Sequence, residues 1–360
     1  MTDADARSDA APASGARLGF VDALKAGASQ LIVLHHLAFY GPMSDAAAPL
    51  APALVGWFSE YARIAVQVFL VIGGFLGARA MAPDGVLLAG RPLRLLARRY
   101  LRLVVPFAAA LVLAVALSAI ARLGMEHDSI PAAPGLAQIG AHLLLLHGLL
   151  DYDALTAGSW YVAIDLQLFA LLTLLLWLAR GTAASTAARR RLGTTLVAAL
   201  ALASLFHFNR DARWDVSAPY FFAAYAMGAL VWWLSRHSDG PIRIALMAAA
   251  TAAALLVEFR LRIAVALLAA LALAASQRGG WLSRWPTDGA IAFLGRIGYS
   301  VFLVHFPVML VVGAIFTRMA GADPWLNALG IGLAWAASVA TGALFHRFVE
   351  RPAGSLPVTW

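Results

Sequence analysis

Four ionisable side chains fall within one mostly apolar stretch near the start of the chain. Asp22, Lys25, His35 and His36 all lie between Leu18 and Tyr40. Ionisable groups inside such a stretch are costly and mark functional sites. Lys25 is the chain's only lysine; its other cations of that class are arginines. Lys25 and His36 are eleven positions apart. On a helix that is about three turns and roughly 16 Å, so both face one side. His35 falls well off that face. A cation near one membrane surface suits the phosphates of a donor. A histidine, whose pKa lies near working pH, suits a general base acting on a hydroxyl. A pantetheine arm is about long enough to join the two points. The alternative is that Lys25 snorkels to the interface and His36 bonds a neighbouring helix.

Other residues join this constellation. Arg98, Arg99 and Arg102 stand together, the last two with Arg-x-x-Arg spacing. They suit either donor phosphates or a membrane-surface anchor. Asp165 lies inside an apolar run and needs a partner. It either orients His36 or neutralises Arg63. Trp160 fits an interfacial belt or a substrate path. The pair Gly73-Gly74 permits close helix packing. His305, two residues before Pro307, suits a carbonyl freed by that proline. His142, His147 and His207 read as structural or interfacial. No His or acid spacing suggests a metal, and no glycine-rich piece is a P-loop.

The elements that must hold these residues are membrane helices. The 360 residues are 62% hydrophobic and 13% charged, about half the charge of a soluble domain. The expected fold is all-α and polytopic, with spans at about 19–40, 54–80, 101–121, 158–179, 193–208, 218–234, 243–257, 262–275, 289–316 and 326–346. The run 136–150 is short and reads as a re-entrant or interfacial helix. Arginines cluster at 91–102 and 180–191. Both clusters belong on the cytoplasmic side, which gives ten crossings with both termini inside. The net charge of +8 reflects this bias, and no motif suggests nucleic acid. There are no cysteines, hence no cysteine nucleophile and no disulfide. Residues 1–17 read as a disordered cytoplasmic tail, 18–352 as one transmembrane domain and 353–360 as a C-terminal tail.

Six segments in order resemble the membrane-bound acyltransferase-3 family. The first is Phe20-Val21-Asp22-Ala23-Leu24-Lys25 with His36 eleven residues on, similar to a family hallmark of a basic residue, ten residues and a histidine. The others are Val66-Gln67-Val68-Phe69-Leu70-Val71-Ile72-Gly73-Gly74-Phe75-Leu76, Arg98-Arg99-Tyr100-Leu101-Arg102-Leu103, and Ser159-Trp160-Tyr161-Val162-Ala163-Ile164-Asp165. The closing segments are Tyr299-Ser300-Val301-Phe302-Leu303-Val304-His305-Phe306-Pro307 and Phe348-Val349-Glu350-Arg351-Pro352. Lys25 stands where the family mostly has arginine, Gln67 where it usually has an acid and Gly73 where it usually has serine.

The resemblance implies an acyltransferase of the inner membrane, with acyl-CoA, usually acetyl-CoA, as co-substrate and no resident cofactor. The acceptor it implies is a hydroxyl on an envelope or exported saccharide or glycolipid. In this reading His36, Lys25 and Asp165 are catalytic, and Lys25, Arg98, Arg99 and Arg102 hold the donor. Trp160 and Gln67 line a substrate path, and membrane lipids surround the whole. The competing reading is a secondary transporter or a translocator of lipid-linked substrate. No pair of interrupted helices in corresponding halves supports it.

Overall fold

The computed structural model describes residues 17–88, 90–285 and 288–354, which form helices and connecting turns with no strand. The tails expected at 1–17 and 353–360 lie outside the described residues, save for Arg17, Ala353 and Gly354.

The helices are α1 (Gly19–Phe39), α2 (Pro42–Ala47), α3 (Pro52–Tyr61), α4 (Val66–Met81), α5 (Pro92–Gly124), α6 (Leu136–Leu143) and α7 (Ser159–Thr182). They continue as α8 (Thr186–Phe206), α9 (Ala218–Leu234), α10 (Gly240–Val257), α11 (Leu261–Arg278), α12 (Gly289–Ala320), α13 (Pro324–Phe345) and α14 (Arg351–Gly354). Lipid offers no hydrogen bonds, so apolar runs satisfy their backbone as helices. Proline opens several of them, where its missing N–H costs nothing. Side chains cap others: Ser185 accepts from Ala188 N–H and Asp323 from Leu326 N–H.

Eight stretches among the described residues are long and apolar enough to cross a membrane. Two of the ten expected spans are not among them. One is α1, whose Asp22, Lys25, Gln30, His35 and His36 lower its hydropathy; the other is α9, with 17 residues. The span expected at 54–80 falls within Pro52–Met81, one helical stretch that tightens into a 3-10 turn at Ala62–Ala65, carrying Arg63 between α3 and α4.

Loops gather at two ends. Arg180 donates to the carbonyls of Leu87 and Leu88, bringing the end of α7 to the loop after α4. Arg278 reaches the carbonyls of Ser235 and His237, and Phe20 N–H bonds Leu282. Both arginine clusters therefore share one end, the arginine-rich end. At the opposite end Arg318 donates to the carbonyls of Leu123 and Gly124, while Arg260 and Arg262 reach Asn209.

α1 and α12 run side by side in the same direction. A Cβ on Gly295 would meet Asp22, one on Gly298 would touch Ser29, and His305 meets His36. This register sets the depth of everything else. Gly158, just before α7, abuts Phe302 in the middle of α12. The connection 125–158 therefore dips far down the bundle before α7 begins. Its α6 has eight residues, about 12 Å, too short to cross. Tyr100 anchors it by donating to the Leu143 carbonyl.

α4 and α9 touch backbone to backbone. A Cβ on Gly74 would lie 1.8 Å from the Tyr225 carbonyl oxygen, and one on Gly228 1.9 Å from that of Val71. Small residues at such crossings let helices approach in lipid. Gly73 and Gly77 make room for the Tyr225 ring beside them.

Candidate active site

Two polar layers lie within this frame. The lower one is nearer the arginine-rich end. There Asp165 on α7 accepts two hydrogen bonds from Arg99 on α5, from Nε at 3.1 Å and Nη2 at 2.5 Å. The Asp165 side chain is 6% exposed and that of Arg99 34%, so the pair keeps one open face. Arg99 also lies over the Phe169 ring. Such charge-assisted bonds are the strong ones, and here they lock two helices together. Asp165 therefore meets neither His36 nor Arg63, which is exposed on its turn.

Lys25 looks into the same layer. It makes no hydrogen bond among the described residues, and its charged neighbours are Asp22, Glu350, Arg99 and Arg17. Asp22 is already paired with Arg17 at 2.6 Å. Glu350 sits on a wide π-turn over His346–Glu350, a feature frequent at functional sites. It accepts from the Ser300 hydroxyl and pairs with His346 at 3.0 Å. Tyr161, Tyr225 and Tyr299 surround Arg99 and Asp165. The buried Tyr225 hydroxyl has no hydrogen-bond partner among the described residues.

The upper layer lies roughly 16 Å further along α1. His36 Nδ1 is 2.6 Å from His305 Nε2, with the two rings 1° from parallel. His305 Nδ1 lies 3.0 Å from the Val301 carbonyl oxygen and 2.9 Å from that of Phe302. Carbonyls only accept, so His305 Nδ1 carries a proton. In the neutral ring Nε2 is then an acceptor, and His36 Nδ1–H must donate to it. That leaves the lone pair of His36 on Nε2, which has no partner among the described residues. The arrangement is a histidine base oriented by a second histidine, itself held by the backbone. Tyr40 and Phe306 flank the pair.

His35 turns away, its Nδ1 donating to the Phe58 carbonyl on α3. Arg98 and Arg102 are exposed and make no hydrogen bond among the described residues. Arg98 lines a hollow of about 250 Å³ with Arg91 and Arg94. Trp160 is partly exposed at the start of α7, against Phe221. Gln67 is buried on the first turn of α4 and makes no hydrogen bond among the described residues. His142 donates to the Gln138 carbonyl, accepts from Leu155 N–H and stacks on His147 at 4.2 Å.

Sequence reasoning treated His305 as a satisfier of backbone carbonyls. It does bond carbonyls, but its other nitrogen completes the pair with His36. The tyrosines around Asp165 and the Ser300–Glu350–His346 cluster were missed as groups. Tyr299, Ser300 and Glu350 stood as polar residues within the closing segments and Tyr161 beside Asp165, whereas Tyr225 and His346 lie in none of the family-like segments.

The acyltransferase-3 family model, described as an acyltransferase domain, matches residues 18–347. No curated protein and no solved structure matches the chain. With nearly the whole chain matched by that model, and helices apolar enough for a bilayer, this protein belongs to the acyltransferase-3 family of membrane acyltransferases.

Proposed function

We propose that this enzyme transfers an acyl group, acetyl in the simplest case, from acyl-CoA to a hydroxyl of an envelope or exported saccharide or glycolipid. The observation that carries this reading is the His36–His305 hydrogen bond, which presents His36 Nε2 as a free base. His36 Nε2 takes the proton of the acceptor hydroxyl as its oxygen attacks the thioester carbonyl. A C–O bond forms. Collapse of the tetrahedral intermediate breaks the C–S bond, and the proton passes from His36 to the leaving thiolate. The products are an ester and free coenzyme A. The transient charge on His36 strengthens its hydrogen bond to His305.

The donor comes from the arginine-rich end, the cytoplasmic side of an inner membrane in this reading. Lys25, Arg102 and Arg98 bind its phosphates, and the pantetheine arm runs along α1 to His36. Arg99 contributes its open face, and Asp165 acts as a positioning residue that fixes Arg99. Trp160 and Gln67 line the path from the donor arm to the acceptor. The eight apolar stretches, together with α1 and α9, cross the membrane, with both termini inside and the 125–158 connection re-entrant from outside.

Thiol release tests the reading directly. The chain has no cysteine, so a thiol reagent sees only coenzyme A. Purified protein in lipid should release thiol from acetyl-CoA faster when saccharide acceptor is added. Binding of acetyl-CoA with no acyl transfer to any saccharide would contradict the proposed substrates.

A further inference from the structure

A second basic site lies at the arginine-rich end, away from α1 and α5. The loop Pro83–Gly85, the first turns of α8 and the turn between α9 and α10 enclose a hollow of about 770 Å³. Four arginines line it: Arg190 and Arg191 from α8, Arg236 from the turn and Arg243 from α10. Only two of them have carboxylates. Arg243 pairs with Asp239 at 2.5 Å, and Arg236 approaches Asp84 at 3.9 Å. Arg190 and Arg191 have no acidic partner among the described residues, so the hollow keeps two uncompensated charges.

Its walls are built rather than incidental. Trp233 Nε1 donates to the Ala82 carbonyl at 2.7 Å and Trp232 Nε1 to that of Pro83 at 3.1 Å. These bonds pin the loop to the end of α9. Arg236 is held over the Trp232 ring, 5.1 Å from its centre. A surface anchor alone needs arginines but no fixed concavity.

We infer that this hollow binds the phosphate headgroup of an anionic phospholipid. Arginine matches phosphate by charge and by its forked donors. What points to lipid rather than a soluble phosphate is the surface beside the mouth. Ile242 and Leu246 flank Arg243 along α10 and are 68% and 65% exposed. They form an apolar strip one turn long, leading from the hollow toward the hydrocarbon layer. A headgroup seated on the arginines would lay an acyl chain along it. The inference stands apart from the acyl-transfer reading, because none of these residues belongs to either polar layer.

Retention of lipid by the full-length purified protein tests it. The protein is exchanged from vesicles of equal phosphatidylglycerol and phosphatidylcholine, and bound lipid is counted by native mass spectrometry. Phosphatidylglycerol should be retained selectively. Each basic residue near a membrane surface adds about a fivefold preference, so Arg190→Gln/Arg191→Gln should bind it roughly thirtyfold more weakly. Ser238→Trp, which keeps every charge but fills the hollow, should also lose it. Arg284→Gln, at the same end but outside the hollow, should not. Equal retention of both lipids, or undiminished retention in the double arginine variant, would overturn the proposal. So would binding of inorganic pyrophosphate that depends on Arg190 and Arg191 while phosphatidylglycerol is refused, because the hollow would then serve a soluble phosphate.

Discussion

Arg99 and Asp165 tie α5 to α7 through two hydrogen bonds onto one carboxylate oxygen, with the acid buried and the base half-open. Removing one partner of such a pair leaves the other charge uncompensated. Asp165→Asn should therefore destabilise the protein by about 1–3 kcal/mol, less than for a fully buried pair because Arg99 keeps solvent contact. Arg99→Gln combined with Asp165→Asn should cost less than the two separate losses added together. A double-mutant cycle of thermal melts measures the coupling; strict additivity would mean that the pair does not act as a unit.

The α4–α9 crossing should tolerate no side chain. Gly74→Ala places a methyl group against the Tyr225 carbonyl, and overpacking of this kind costs about 1–3 kcal/mol. Gly56→Ala, where a Cβ meets nothing within 4 Å, should melt at or above the parent temperature. Helical circular dichroism on heating compares them, and a Gly74→Ala variant as stable as the parent would mean that the helices are not in backbone contact.

Much of this was legible in the sequence. Hydropathy marks the spans, because lipid leaves apolar runs little choice but helix. The shared face of Lys25 and His36 follows from helical period alone. The turn around Arg63 was only partly legible: Ser59, Glu60 and Arg63 interrupt the apolar run there, but polar residues alone do not distinguish a 3-10 turn from a continuous helix. The partner of His36 was not legible. His305 stands 269 residues away, and only the parallel packing of α1 on α12 brings the two together. Asp165 visibly needed a partner, but three arginines stand close together at 98–102 and the choice of Arg99 depends on helix register. The lipid-facing hollow was invisible for the same reason: its arginines come from three separate segments.

Donor binding should depend on the unpaired arginine more than on the paired one. Arg102 is exposed and free of hydrogen bonds among the described residues, so Arg102→Ala should raise the KM for acetyl-CoA severalfold with little change in kcat. The effect should shrink at high salt, which screens exposed charges. Thiol-release kinetics at two ionic strengths read this out. An unchanged KM at both would leave Arg102 as a surface anchor alone.

The tight turns after α6, a hairpin over residues 144–152, should weaken in acid. His147 is 2% exposed, its ring nitrogens have no hydrogen-bond partner among the described residues, and burial followed by the neighbouring His142 pushes its pKa down from 6.5 to about 4. The unfolded hairpin then binds more protons than the folded one between those values. Its contribution to stability is whole above pH 6.5 and is lost as pH falls toward 4. Hydrogen exchange at 144–152 should rise over that window in the parent and much less in His147→Phe. Identical pH profiles would show that His147 does not control the hairpin.

The central claim is that His36 Nε2 is the base, and thiol release by His36→Gln in the presence of acceptor tests it most directly. The variant should insert, melt like the parent and bind acetyl-CoA normally. Losing a general base costs about a hundredfold or more, so its turnover should fall at least that far. His35→Gln, whose parent ring only donates to α3, should stay within a few fold of normal. Near-normal turnover in His36→Gln, with His35→Gln inactive, would contradict the account.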